Sequence, residues 1–388
     1  MKNFYVVTAA VFAMFFALGM PDGAFGVAWP GMRYEMGLPL GRATTIIVVH
    51  SIFYSLASAQ TGRLAAFFRV EKISGAGFLL LLAGMMGFSF APNFEWLAVV
   101  TGFLGAGMGL LDAGANAFAA KKFSARLMNH MHCFWAMGGA VSPMIMRQMV
   151  ISYDWRWGYR AIFALQAVIA VFVLITIVRG LWIVSAAERV DEKTISPVGI
   201  FLTAQRFQVV QLLIFSLYTS FEYAVTFWTV SVLMERPGMT FEAAGFFPAV
   251  YLGFLMAGRF IFGFATDKLT GTHVIRIGLA LSVGGLFVLL FSNNITGIAL
   301  VGFGFAPVFP CLMNETKRRF KPELLSKLVG LQIAAAGAGV AISAIFMGQL
   351  LEISHEALFP TVIFCVGVAF LMNEYIEINL RKAVCRGK

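Results

Sequence analysis

Residues 105–127 read GAGMGLLDAGANAFAAKKFSARL, and residues 302–324 read GFGFAPVFPCLMNETKRRFKPEL. Both are glycine-rich apolar runs that end in a basic pair and a phenylalanine before a helix restarts. Two such runs in one chain point to an internal duplication, and other pairs agree at an offset of about 200 residues. Asp22 is followed by Trp29 and then by Gly62 in GRLAAFF; Glu222 is followed by Trp228 and then by Gly263 in GFATDK. Each match is weak alone, and the shared offset is what carries the argument.

Of the 388 residues, 60% are hydrophobic and 12% charged, more oil than a soluble core requires. Runs of about 20 apolar residues, the length that crosses a bilayer as a helix, recur along the chain. Twelve spans are expected at 5–28, 43–66, 73–91, 95–120, 127–149, 157–178, 209–233, 243–266, 273–292, 295–315, 327–351 and 357–379. The opening MKNFYVVTAAVFAMFFALG resembles a signal peptide, but its apolar run is too long and no small-x-small cleavage site follows, so an uncleaved first span is expected. The longest polar interval, 179–208, divides the spans six and six. The expected fold is therefore an all-α membrane protein of twelve transmembrane helices in two six-helix bundles. Its domains would be 1–180, an interdomain loop 181–208, and 209–388. Parallel repeats of this kind imply a central pathway between the bundles.

The net charge of +10 could suggest nucleic acid, but its placement argues for a membrane. With the N-terminus inside, only six of the 29 Lys and Arg fall in external segments (Arg33, Arg42, Arg147, Arg156, Arg160, Arg236), and Arg259 lies within a span. This bias puts both termini, and the loop holding Asp191, on the cytoplasmic side of an inner membrane. Lys317, Arg318, Arg319 and Lys321 could also grip anionic lipid headgroups. Four scattered cysteines form no CxxC, and no metal cluster, nucleotide loop or Ser/His/Asp constellation is visible. No cofactor, no metal, no ATP-driven step and no enzyme activity are expected.

GRFIFGFATDKLTG, residues 258–271, is similar to the Gly-x-x-x-Asp-Arg/Lys loop signature of the major facilitator superfamily. The first-half loop GRLAAFFRVEK departs from it, with Ala66 where the signature has aspartate. LGMPDGAFGVAWP, LLDAGANAF, MNHMHCFWAMGGAVSP, YTSFEYAVTFW and GFAPVFPCLM further resemble the fucose permease-like branch, sugar:proton symporters. The resemblance implies acidic residues in spans 1 and 4 that take part in proton coupling and sugar recognition; the matching positions are Asp22 and Asp112.

The residues themselves support a site on several spans. Gly102, Gly105, Gly109, Asp112 and Asn116 advance by three or four residues at a time and share one helix face. The glycines allow close approach of another helix. A carboxylate in the bilayer interior costs roughly 2.5–3.5 kcal/mol even on a lenient scale, so Asp112 is expected to couple protons or bind solute, with interhelical hydrogen bonding as the alternative. Asp22 lies between Pro21 and Gly23, both helix-disrupting, with Phe25 and Trp29 on its face; the alternative is a cap on a broken helix. Glu222, its repeat partner, is a third candidate for protonation, or an interbundle hydrogen bond. His132 and Trp135 in span 5 and Gln332 in span 11 could contact solute hydroxyls and a sugar ring, or simply pack. Trp228 neighbours Glu222. Arg259 is expected to snorkel or to pair with the loop of Asp267 and Lys268 at a cytoplasmic gate.

These observations predict a monomeric secondary active transporter that takes up a small polar solute, a sugar being one class, by proton symport with alternating access. Proton-coupled export of drugs or metabolites is the alternative. The sequence GGAVSP, residues 138–143, is a degraded form of the Gly-x-x-x-Gly-Pro run frequent in such exporters.

Overall fold

The computed structural model describes residues 2–65, 67–123, 125–182, 205–265 and 269–386. The described residues form helices and no strand. In chain order they are α1 (Lys2–Met36), α2 (Ala43–Leu64), α3 (Val70–Ser89), α4 (Phe94–Lys122), α5 (Ala125–Ser152), α6 (Trp155–Val178) and α7 (Gln205–Met234). There follow α8 (Phe241–Ala244), α9 (Phe247–Ala265), α10 (Gly271–Phe291), α11 (Ile295–Phe305), α12 (Val308–Arg319), α13 (Pro322–Ile353) and α14 (Leu358–Arg386). Among the described residues eleven spans are long and apolar enough to cross a membrane, α8 joining α9 and α11 joining α12 in two of them. The expected fifth span falls on α5, a helix of 28 residues that is not among those eleven; Arg126, His130, His132 and Arg147 lie in its sequence.

The chain divides into two compact units. Unit 1 is Met1–Val190 with Leu233–Leu252, and unit 2 is Asp191–Val232 with Gly253–Lys388. The short segment thus joins unit 1 rather than the rest of its own half. Glu235 pairs there with Arg33, and Arg147 Nε donates to the Glu242 carbonyl at 2.5 Å. Most of the interdomain loop expected at 181–208, Asp191 included, lies outside the described residues.

Helix starts follow the side chains available. Asn93 Oδ1 accepts from the Trp96 amide at 2.9 Å to begin α4, and Asp154 accepts from the Arg156 and Trp157 amides to begin α6. Pro322 stands in the first turn of α13, where its missing N–H is no loss.

The broken helix that was the alternative reading at Pro21 does not occur: α1 runs through it to Met36. Proline removes the N–H that would have bonded the Ala17 carbonyl, and Gln166 Nε2 from α6 supplies the replacement at 2.9 Å. Gln166 is fully buried, so this bond also explains a polar side chain in an apolar interior. Pro143 is likewise inside α5, and Ser142 Oγ lies 3.5 Å from the carbonyl of Gly139, the one its ring strands. In unit 2 the corresponding disruption is complete: the helix stops at Phe305 and restarts at Val308 across Pro307, and Tyr218 Oη donates to the Phe305 carbonyl at 2.9 Å.

Candidate functional site

In unit 1, α4 packs on α2 and α3, and α1 packs on α5 and α6. Several of these contacts are backbone to backbone, and two of them bear on the acids. A Cβ on Gly109 would stand 2.3 Å from the Tyr54 carbonyl oxygen, and one on Gly138 would stand 1.9 Å from that of Phe16. Only glycine allows either approach. The first brings the α2 face of His50, Tyr54 and Ser58 onto Asp112; the second brings α5, with Trp135, beside Asp22.

The result is a connected polar cluster. Tyr54 Oη donates to Asp112 Oδ2, and Asn116 Nδ2 donates to Asp112 Oδ1 at 2.7 Å. The same amide lies 3.1 Å from the Asp112 carbonyl, so both its contacts are acceptors and its orientation is fixed. The Trp135 side chain hydrogen-bonds Asp22, and Asp112 is close enough for its charge to be felt there. His50 stacks on Tyr54 with centroids 6.0 Å apart, and its Nε2 lies 3.3 Å from Met108 Sδ. Ser58 Oγ donates to the Gly109 carbonyl at 3.1 Å. His132 turns edge-on to Phe15, centroids 5.1 Å apart. Asp22, Tyr54, Asp112, Asn116, His132 and Trp135 are all half-buried. Among the described residues neither aspartate meets a Lys or Arg.

Unit 2 treats its acids differently. Glu222 on α7 is buried and lies 3.7 Å from Arg259 on α9, with the Tyr218 side chain also within hydrogen-bonding reach. The pairing of Arg259 expected with the loop of Asp267 and Lys268 falls on residues outside the described ones. A second charged cluster ends α12. Arg319, fully buried, bonds Gln211 at 2.8 Å, Asn373 at 2.6 Å and Glu377 at 2.9 Å. Arg318 pairs with Glu315 and Glu377.

Several residues expected at the solute site are buried in this structure. Gln332 is 0% exposed inside unit 2, where its Nε2 donates to Thr316 Oγ1 at 2.9 Å. Trp29 is 1% exposed, its indole held by the Leu40 carbonyl at 3.0 Å. Phe25 and Trp228 are buried too, leaving Trp135 as the half-buried one of the four named aromatics. Arg319 points inward and is not available to lipid headgroups.

Tyr54, and the group around Arg319, went unnoticed in the sequence. The signal for the first was present: His50, Tyr54 and Ser58 recur every four residues through an apolar span, a polar stripe of helical period. For the second it was Asn373, Glu374 and Glu377, ionisable and amide groups inside the last span.

A family model described as Major Facilitator Superfamily matches residues 11–344. The chain is similar in fold to a crystal structure of a peptide transporter, POT, in complex with sulfate (TM-score 0.75, 14% identity, 97% of this chain and 94% of that one). It is similar to a POT family transporter in complex with 5-aminolevulinic acid (TM-score 0.77, 14% identity, 97% and 96%). It is also similar to a D-xylose-proton symporter (TM-score 0.76, 13% identity, 96% and 97%). At these identities the likeness is one of fold. No curated protein matches the chain in sequence.

Proposed function

Since this chain belongs to the Major Facilitator Superfamily, and is a multi-pass membrane transporter and not an enzyme, we propose that it takes up a small polar solute by proton symport, Asp112 carrying the proton. The observation behind this reading is the setting of Asp112: half-buried in a membrane span, held by two neutral donors, and facing no cation among the described residues. A charge so placed is costly in apolar surroundings, and a proton removes it. Loading and unloading that proton then biases the two access states differently, which is all that coupling requires.

Asp22 is the second carboxyl of the same cluster. Trp135 holds it, and the indole face beside a carboxylate suits a sugar ring, whose hydroxyls donate to the acid while its C–H face stacks on the aromatic. Asn116 and His132 complete the polar groups of this solute site. Uptake of a sugar accords with the D-xylose-proton symporter among the structural neighbours. Glu222, with Arg259 3.7 Å away, serves better as a structural and gating pair than as the primary proton carrier. The monomer works in the inner membrane with both termini cytoplasmic, so a cysteine at position 191 is expected to be labelled from inside only.

The experiment begins with a thermal-shift screen of purified protein against sugars, organic acids and cationic drugs, followed by flux in proteoliposomes with the best hit. Asp112→Asn imitates the protonated side chain and removes its titration. It is expected to abolish accumulation driven by a proton gradient while solute exchange persists. Retained accumulation would remove Asp112 from the coupling role. Stabilisation by cationic drugs alone would favour the export reading.

A further inference from the structure

Asp112 accepts at both oxygens, and the two donors differ in what they can do when a proton arrives. Asn116 contributes an N–H to Oδ1 from four residues along the same helix, and its amide nitrogen cannot accept a hydrogen bond. A proton placed on Oδ1 would therefore point at another hydrogen. Tyr54 contributes a hydroxyl to Oδ2 from a different helix. A hydroxyl can rotate and accept.

We propose that the proton loads on Asp112 Oδ2 and that Tyr54 is the positioning residue for it, its hydroxyl turning from donor to acceptor as the carboxyl is filled. This rests on the reading of Asp112 as the coupling site. The step is simple in its balance: one proton from water joins Oδ2, the new O–H donates to Tyr54 Oη, and the phenol keeps its own hydrogen, which swings away. No other bond forms or breaks. Because Asn116 travels with Asp112 on α4, it is the Tyr54 contact that ties the protonation state to the seating of α2 on α4.

The other titratable groups around Asp112 are few. Asp22 approaches from α1, and His50 stacks on Tyr54 from one turn earlier on α2. From α5, His132 turns to Phe15 and Trp135 to Asp22. The third neighbour, α3, meets the far face of α4 at Gly107 and Gly114, and its Glu71 pairs with Arg69.

The test reads the proton itself, so no solute is needed. Infrared difference spectra of the purified full-length protein are recorded against pH, and the carboxyl band lost in Asp112→Asn is assigned to Asp112. Removing one donor from a carboxylate weakens its hold on the charge. In Tyr54→Phe the midpoint of that band is therefore expected about one pH unit higher, a tenfold change in proton affinity. Fluorotyrosine at position 54 keeps the hydroxyl and makes it a stronger donor, so the midpoint is expected to move the opposite way; this variant carries the test if the phenylalanine protein does not fold. A midpoint unmoved by either change overturns the inference, even where Asp112→Asn has lost uphill accumulation. If the midpoint shifts as expected but Asp112→Asn still accumulates solute, Tyr54 governs that proton and the coupling role of Asp112 fails.

Discussion

The helix α4 and its counterpart in the second half, α11 with α12, begin as similar sequences and end as different devices. Setting Phe123 against Phe320 aligns Gly105 with Gly302, Lys122 with Arg319 and Asp112 with Phe309. In unit 1 the helix is unbroken and carries its acid in midspan, among neutral donors. In unit 2 the helix breaks before Pro307, the acid's place is taken by a phenylalanine, and the charge sits at the end, where Arg319 is enclosed by Glu377, Asn373 and Gln211. A carboxylate among neutral donors changes charge when it gains a proton. A carboxylate beside an arginine is already compensated and has less reason to titrate. Of these two stretches, among the described residues, only α4 keeps an acid that meets no cation.

This contrast can be broken most forcefully at Arg319. Arg319→Ala leaves Glu377 and two amides in a buried space with Arg318 as the remaining cation, and is expected to destabilise the protein by about 3 kcal/mol. Lys122→Ala, at the matching place, should cost less than about 1 kcal/mol, because Lys122 is half-buried. Denaturation in detergent compares the two, and equal losses would mean that the halves keep their basic ends alike. Next in size, Gly109→Ala places a methyl 2.3 Å from the Tyr54 carbonyl oxygen, a backbone atom that moves only with α2. A loss of about 2 kcal/mol is expected, and the infrared midpoint of Asp112 should rise with it, since the shift of α2 withdraws the Tyr54 hydroxyl. A destabilised protein with an unmoved midpoint would separate packing from proton control.

A finer comparison sets Glu222→Gln against Asp112→Asn in melting experiments without solute. The first strands the Arg259 charge and is expected to cost about 1.5 kcal/mol, given the 3.7 Å separation and partial exposure of that pair. The second removes a charge that has no cation and should leave stability equal or improved. If both fall equally, the two acids have the same kind of partner after all. The smallest effect is expected at Gln332→Ala, about 1 kcal/mol for the bond to Thr316, with solute affinity unchanged.

The helical architecture was legible because apolar runs of spanning length leave little choice of structure. The face shared by Gly105, Gly109, Asp112 and Asn116 was legible from spacing alone, and the structure puts α2 against it as the glycines imply. What spacing could not supply was the partner across the contact. Tyr54 is far from Asp112 in sequence, and only the seating of α2 makes it a donor. For the same reason spacing could not show that Gln332 and Trp29, expected at the solute site, are held by Thr316 and by the Leu40 carbonyl. At Pro21 the sequence left a broken helix open as an alternative, and what decides against it, the rescue of the stranded carbonyl by Gln166, comes from α6.

That rescue has a mechanical consequence. A helix bends at the expense of the rungs on its convex side, and in α1 the rung below Asp22 is already absent, its carbonyl tied sideways to Gln166. In α5, Pro143 removes another rung within two turns of Trp135. The two helices that carry the Asp22 contact are therefore each weakened near that contact, α1 losing one further rung at Pro30. A load on this cluster would flex them there first, turning α1 and α5 into a pair of levers with their pivots beside the acid.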